Sequence, residues 1–206
     1  MNAAPPPAPV ALEVGRTWTF ASALDWPGWC RRGKGEEDAL EALRQYAGRY
    51  KAAVGRAFRA PKEFTVVGTV PGNATTDFGA PSVVGPWDSE PLPRAEAERM
   101  ARLVAAAWTS FDAVVAGAPA KLRRGPRGGG RNRDAIVDHV QEAERAYGRK
   151  FGVRLPPRTP WPEQRDALLA AMRGGDTDSA WPVRYAMRRV AWHVLDHAWE
   201  IEDKSG

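Results

Sequence analysis

The stretch that most constrains this chain is its last one, Trp181 to Asp203, reading WPVRYAMRRVAWHVLDHAWEIED. Two of only three histidines in 206 residues, His193 and His197, stand in it four positions apart. In a helix of about 3.6 residues per turn such a pair leaves one face, about 40° apart around the axis. Val190, His193, His197 and Ile201 continue a single stripe at +3 and +4 spacings, which places the imidazoles on the apolar side. Imidazoles there need partners. Either carbonyls and carboxylates hydrogen-bond them in a core, or they share a metal ion, for which neutral imidazole is the commonest ligand.

Three more amphipathic segments precede this one. Ala95 to Gly117 places Met100, Leu103, Val104, Ala107, Trp108, Phe111 and Val114 at helical spacing, and Asp134 to Phe151 does the same with Ile136, His139, Val140, Ala143 and Tyr147. Pro162 to Met172 is shorter, with proline in its first turn and Gly174-Gly175 after its end. Four such helices must bury their stripes on one another, so 94–206 is expected to form a four-helix bundle. The third histidine, His139, then also falls on a bundle-facing stripe. Three imidazoles from two helices can close three positions of a metal site and leave others open, as a catalytic site requires. Glu200, at +3 from His197 and +7 from His193, is the first choice for an orienting or acid/base carboxylate, or a further ligand. Asp196 is a second candidate, and Asp138 and Glu142 are more ordinary as solvated carboxylates.

The front of the chain has a different pattern. Residues 1–15 are rich in proline and alanine and are expected to be a disordered tail. Thr17 to Leu24, TWTFASAL, reads as a strand, followed by the turn Asp25-Trp26-Pro27-Gly28 and a short return strand over Trp29 to Arg32. Glu36 to Ala57 carries Leu40, Leu43, Tyr46, Tyr50 and Val54 at helical spacing, and its opening acids Glu36, Glu37 and Asp38 suit the positive end of the helix dipole. Phe64 to Val70 reads as another strand, which makes 16–75 a small β-β-α-β unit. With five prolines and three glycines, Pro71 to Pro93 reads as linking sequence, and 76–93 is assigned as the linker proper. The fold class is therefore α+β.

Charge and cysteine content narrow the partners. The formal charge of +5 is concentrated in KLRRGPRGGGRNR, where Lys121, Arg123, Arg124, Arg127, Arg131 and Arg133 stand without an acid. These six leave the rest of the chain at −1, which argues against a nucleic-acid partner for the body of the protein. The segment is a solvated loop by composition, and Arg124, Arg127 and Arg131 are its candidate clamp for anionic groups. It is no phosphate-binding P-loop, because Arg131-Asn132 stands where Lys-Ser/Thr is needed. No stretch approaches the roughly 18 apolar residues of a membrane span, and the N-terminus lacks a basic then apolar leader. Together with the lone Cys30, which rules out an internal disulfide, this gives the expectation of a cytoplasmic protein. Arg31 and Arg32 beside Cys30 would favour its thiolate, but no histidine lies nearby in sequence to act as base, so a nucleophilic role is not expected.

Two resemblances follow from these residues. The run Ala23-Leu24-Asp25-Trp26-Pro27-Gly28-Trp29-Cys30, then Gly33, then Glu36-Glu37-Asp38-Ala39-Leu40, resembles the N-terminal half of the HicB antitoxin family, with Trp29 as an insertion and no DNA-binding segment of the antitoxin type behind it. The helix order from about Pro86 to Asp203, with one histidine in DHVQEAE and a His-x3-His in the last helix, resembles the DinB superfamily and its thiol-transferase-like branch. That resemblance implies that His139, His193 and His197 hold a divalent metal, Zn, Ni or Fe. It implies an enzyme that transfers a low-molecular-weight thiol, with mycothiol among the candidates, or performs a related hydrolysis or isomerisation on a small-molecule substrate, and it is compatible with a homodimer. The alternative is a non-catalytic binding or regulatory protein whose HicB-like unit pairs with a partner protein.

Overall fold

A computed structural model of the chain describes residues 5–125, 130–175 and 178–205. It is a mixed α/β fold in which an N-terminal sheet is followed by helices, in agreement with the α+β class. The sheet has four strands, β1 (Ala8–Val14), β2 (Thr19–Ala23), β3 (Cys30–Gly33) and β4 (Phe64–Pro71), in the order β3-β2-β1-β4. Neighbours β3, β2 and β1 pair antiparallel, and β1 pairs parallel with β4.

Strand β1 overturns the expected disordered tail over Ala8–Val14; residues 1–4 of that expected tail lie outside the described residues. Its residues VALEV alternate between the two faces of the sheet: Val10 and Leu12 enter the main core, while Ala11 and Glu13 line a cavity on the other side. A short run of small residues beside prolines has little local preference for a strand. Pairing on both edges and burial on both faces supply what local preference lacks.

The expected helix from Glu36 to Ala57 forms in two pieces, α1 (Glu36–Gln45) and α2 (Ala47–Val54), broken at Tyr46 and closed by a 3-10 turn at Gly55–Ala57. The break turns Tyr50 inward, where its hydroxyl donates to the Pro27 carbonyl at 2.9 Å. Trp29, Tyr50, Phe58 and Phe64 form an aromatic cluster with edge-on contacts at 4.9–5.5 Å, and the Trp29 indole N–H donates to the Leu43 carbonyl. Segment 76–93, read as a linker, begins within α3 (Ala74–Phe78), which Asn73 caps, and includes a 3-10 turn at Pro86–Ser89. It is tied to the last helix by Asp88, whose fully buried carboxylate meets the Arg188 guanidinium at 2.6 Å.

The remaining helices are α4 (Arg94–Gly117), α5 (Arg133–Lys150), α6 (Trp161–Gly174) and α7 (Val183–Ser205). Helices α4, α5 and α6 all pack on α7. The β2–β3 turn packs on it as well: Gly28, at φ +93°, lies so close that an added Cβ would stand 2.8 Å from Leu195 Cδ1. Fourteen of the 23 residues of α7 are buried. One continuous hydrophobic core runs from Ala8 through Trp29 and Phe111 to Ile201. The last helix is thus the central element of the molecule, enclosed by helices on one side and by the sheet on the other.

Candidate metal centre

The three histidines of the sequence are brought together. His139 is contributed by α5 and His193 and His197 by α7, with ring centroids 5.0, 5.0 and 4.6 Å apart. One ring nitrogen from each lies within 4.8 Å of those of the other two. His139 Nε2 and His193 Nε2 are 3.2 Å apart. Two nitrogens bound to one tetrahedral ion at 2.0–2.1 Å would be separated by about 3.3 Å, so this spacing suits a shared ligand.

The side chains around them set protonation. His193 is buried, and burial first, then the neighbouring His197 and the positive charge of Arg189, hold its pKa well below the ordinary value. His139 is half-buried and is lowered for the same leading reason, with His197 and Arg131 acting in the same direction. Both imidazoles therefore stay neutral, which is the form that can ligate. His197 Nδ1 lies 2.8 Å from Glu200 Oε2. A carboxylate there accepts Nδ1–H, fixes the tautomer and leaves the Nε2 lone pair for the centre of the triad. The hydrogen bond from His197, joined by Lys204 on the other oxygen, takes the Glu200 carboxyl down to about 2. At neutral pH it is an anion that orients His197.

The other carboxylates lie elsewhere. Asp196 is one position before His197 and so about 100° around the helix. Its carboxylate meets Arg31 of β3 at 2.8 Å, on the sheet side of α7. Asp138 is exposed, and Glu142 pairs with Arg145 at 3.3 Å. Of the basic segment, Arg131 is exposed yet near enough for its charge to act on His139 and His193. Arg124 is part-way along an exposed run, and Arg127 lies outside the described residues. Arg123 donates to the Asp203 carbonyl near the C-terminal end of α7, and Arg133 to the Ala118 carbonyl just after α4.

Tyr147 and Arg189 were not singled out by sequence reasoning. The Tyr147 ring stands edge-on to His193 at 5.5 Å, and the Arg189 guanidinium stacks on Tyr147 and Trp192. Spacing could have found both, since Tyr147 is two turns beyond His139 and Arg189 one turn before His193. His193 Nδ1 is buried and has no hydrogen-bond partner, so only one of its two nitrogens is provided for by the protein. Three imidazoles, two kept neutral by burial and the third oriented by a carboxylate, are a donor set that suits Zn, Ni or Fe(II). Cys30 is not part of this centre. It is buried, accepts from the Ser22 hydroxyl at 3.0 Å, and burial pushes its thiol up to about 12, against the effect of Arg31, so it is no low-pKa nucleophile.

No family model, no curated protein and no solved structure matches this chain.

Proposed function

We propose that the chain is a metal-dependent enzyme of DinB-like type, in which His139, His193 and His197 hold a divalent ion and Glu200 orients His197. The observation that carries this reading is the convergence of all three histidines of the sequence, from two helices, within 4.8 Å. A divalent ion in such a three-histidine centre supplies Lewis acidity and makes a nucleophile available at neutral pH. Burial keeps His139 and His193 neutral and so ready to ligate. Glu200 holds the proton on His197 Nδ1 so that Nε2 is free. Tyr147 closes one side of the triad against His193. Arg131, and Arg124 and Arg127 in the same segment, would attract an anionic substrate toward it. The DinB-like resemblance points to transfer of a low-molecular-weight thiol, mycothiol being one candidate, with metal-assisted hydrolysis or isomerisation as related outcomes.

The test uses the full chain purified without a polyhistidine tag, followed by elemental analysis after incubation with Zn, Ni or Fe(II). About one equivalent of one metal is expected, falling in each of His139→Ala, His193→Ala and His197→Ala. A folded wild type that retains no stoichiometric metal would refute the reading.

One observation favours a second reading, that of a protein-binding module. Strand β4 is an edge of the sheet and exposes Val66 and Val67, and open edges of this kind can accept a further strand. Here the HicB-like unit would pair with a partner protein and the histidine centre would serve structure. Loss of partner capture by the full chain on Val67→Lys, with the metal retained, would support it. Full activity of a protein shown to act alone would count against it.

A further inference from the structure

A second polar site lies on the sheet side of α7, away from the histidines. Between β1, β2 and β3 on one side and α7 on the other lies a partly open cavity of about 40 Å³. That is room for about three water-sized groups at 10–15 Å³ each. Most of its wall is apolar, but Trp87, Tyr185 and Arg189 all line it, and each carries a buried donor without a hydrogen-bond partner: indole Nε1, the phenol hydroxyl and guanidinium Nη1. Tyr185 is 4% exposed and Arg189 8%. Three orphaned donors on one small cavity are unusual, because buried donors are almost always paired.

Charge decides what belongs there. Arg189 is a buried cation whose contacts are the faces of Tyr147 and Trp192, and among the described residues no carboxylate is in ion-pair contact with it. The neighbouring Arg188 is already neutralised by Asp88. Glu13 lines the opposite wall, but its carboxylate is taken up by the Thr76 hydroxyl and the backbone N–H groups of Ser82 and Val83. The Cys30 thiol, the other titratable group on the wall, is held neutral by burial. Water could satisfy the orphaned donors singly but would leave the guanidinium charge unbalanced in a low-dielectric site. A carboxylate satisfies both, since its two oxygens accept several hydrogen bonds and the guanidinium geometry matches it.

We propose that this cavity binds a small carboxylate, of the size of formate or acetate, with its oxygens on Arg189 Nη1 and the Tyr185 hydroxyl, Trp87 Nε1 as a third donor, and any methyl group against the apolar wall. The site adjoins the histidine centre through Arg189, whose guanidinium also stacks on Tyr147 beside His193, but its donors are not histidines and it stands whether or not that centre holds metal.

The full chain, treated with chelator so that no metal competes for the anion, is titrated with 13C-labelled acetate and followed by NMR line broadening, with acetamide as the neutral control of the same shape. Saturable acetate binding is expected, with acetamide at least about tenfold weaker because it lacks the charge that Arg189 requires. Tyr185→Phe removes only a hydroxyl that has no protein partner, so the fold should be kept while acetate binding weakens by about tenfold. Arg189→Met should abolish binding, with the folded state checked by circular dichroism. A folded wild type that shows no saturable binding, equal affinity for acetate and acetamide, or binding unchanged in Tyr185→Phe would each overturn the proposal and leave the cavity to ordered water.

Discussion

Glu144 on α5 offers the sharpest quantitative test of how this interior is built. It is fully buried; its Oε1 accepts the Trp108 indole N–H and its Oε2 that of Trp161, both at 2.6 Å, and Arg165 Nε stands 3.7 Å from it. Burial is the largest influence and outweighs these favourable partners, raising the carboxyl to about 7 from an ordinary value near 4.5. The folded protein thus binds a proton more tightly at Glu144 than the unfolded chain does. The stability this provides is fully present below about pH 4.5 and is lost as pH rises through about 7. At 1.36 kcal/mol per unit the loss is about 3 kcal/mol. In Glu144→Gln the titration is gone, and one indole faces the amide NH2 in place of an oxygen, which costs about 1–3 kcal/mol at every pH. Urea denaturation followed by tryptophan fluorescence at intervals from pH 5 to pH 8 gives both stabilities. Their difference is the informative quantity, because His139, His193 and Glu200 titrate in both proteins and cancel. The wild-type advantage over Glu144→Gln should shrink by about 2–3 kcal/mol from pH 5 to pH 8. A difference that stays constant with pH would mean that the two indoles and Arg165 offset burial completely, and the reasoning from desolvation would fail.

Three other outcomes are expected. Glu200→Gln keeps the shape at His197 Nδ1 but removes the charge, so metal affinity should fall by about tenfold or more without being abolished, measured by competition with a chelator of known affinity. Cys30 should resist alkylation at pH 7 in the folded protein and react only on unfolding, since the thiol is buried and held up to about 12; mass spectrometry with and without urea reads this directly. Gly33→Ala would place a Cβ 2.3 Å from Ala39 N and 2.4 Å from Asp38 C, backbone atoms at the start of α1. Neither can step aside alone, so the urea midpoint should drop by the equivalent of about 3 kcal/mol or more.

Much of the helical half was legible because amphipathic period and terminal residues are local properties. Helices α4 to α7 begin and end within two residues of the positions expected from the stripe of Met100, Val104 and Phe111, from Pro162, and from Gly174-Gly175. The break at Tyr46 was not legible, since Leu43, Tyr46, Tyr50 and Val54 keep helical spacing across it. After the break the Tyr50 hydroxyl reaches the Pro27 carbonyl in the β2–β3 turn, a partner that only tertiary packing supplies. Strand β1 escaped notice for a related reason: Pro9 and the alanines around it carry no strand signal of their own, and their partners in β4, Phe64 for Ala8, Thr65 for Pro9 and Gly68 for Ala11, lie far along the chain.

The same division runs through the two sites on α7. By itself the sequence determined that His193 and His197 share a face, that Glu200 lies one turn beyond His197 on that face, and that His139 sits on the buried stripe of another helix, because each of these is a consequence of helical spacing. Only tertiary structure decided that α5 brings His139 Nε2 to 3.2 Å from His193 Nε2, that Asp196 turns away to Arg31, and that Trp87, Tyr185 and Arg189 surround one cavity. Spacing along one helix sets angles around its own axis. The distance between side chains on different elements depends on how those elements pack, which is settled by the whole core and by no single stretch of it.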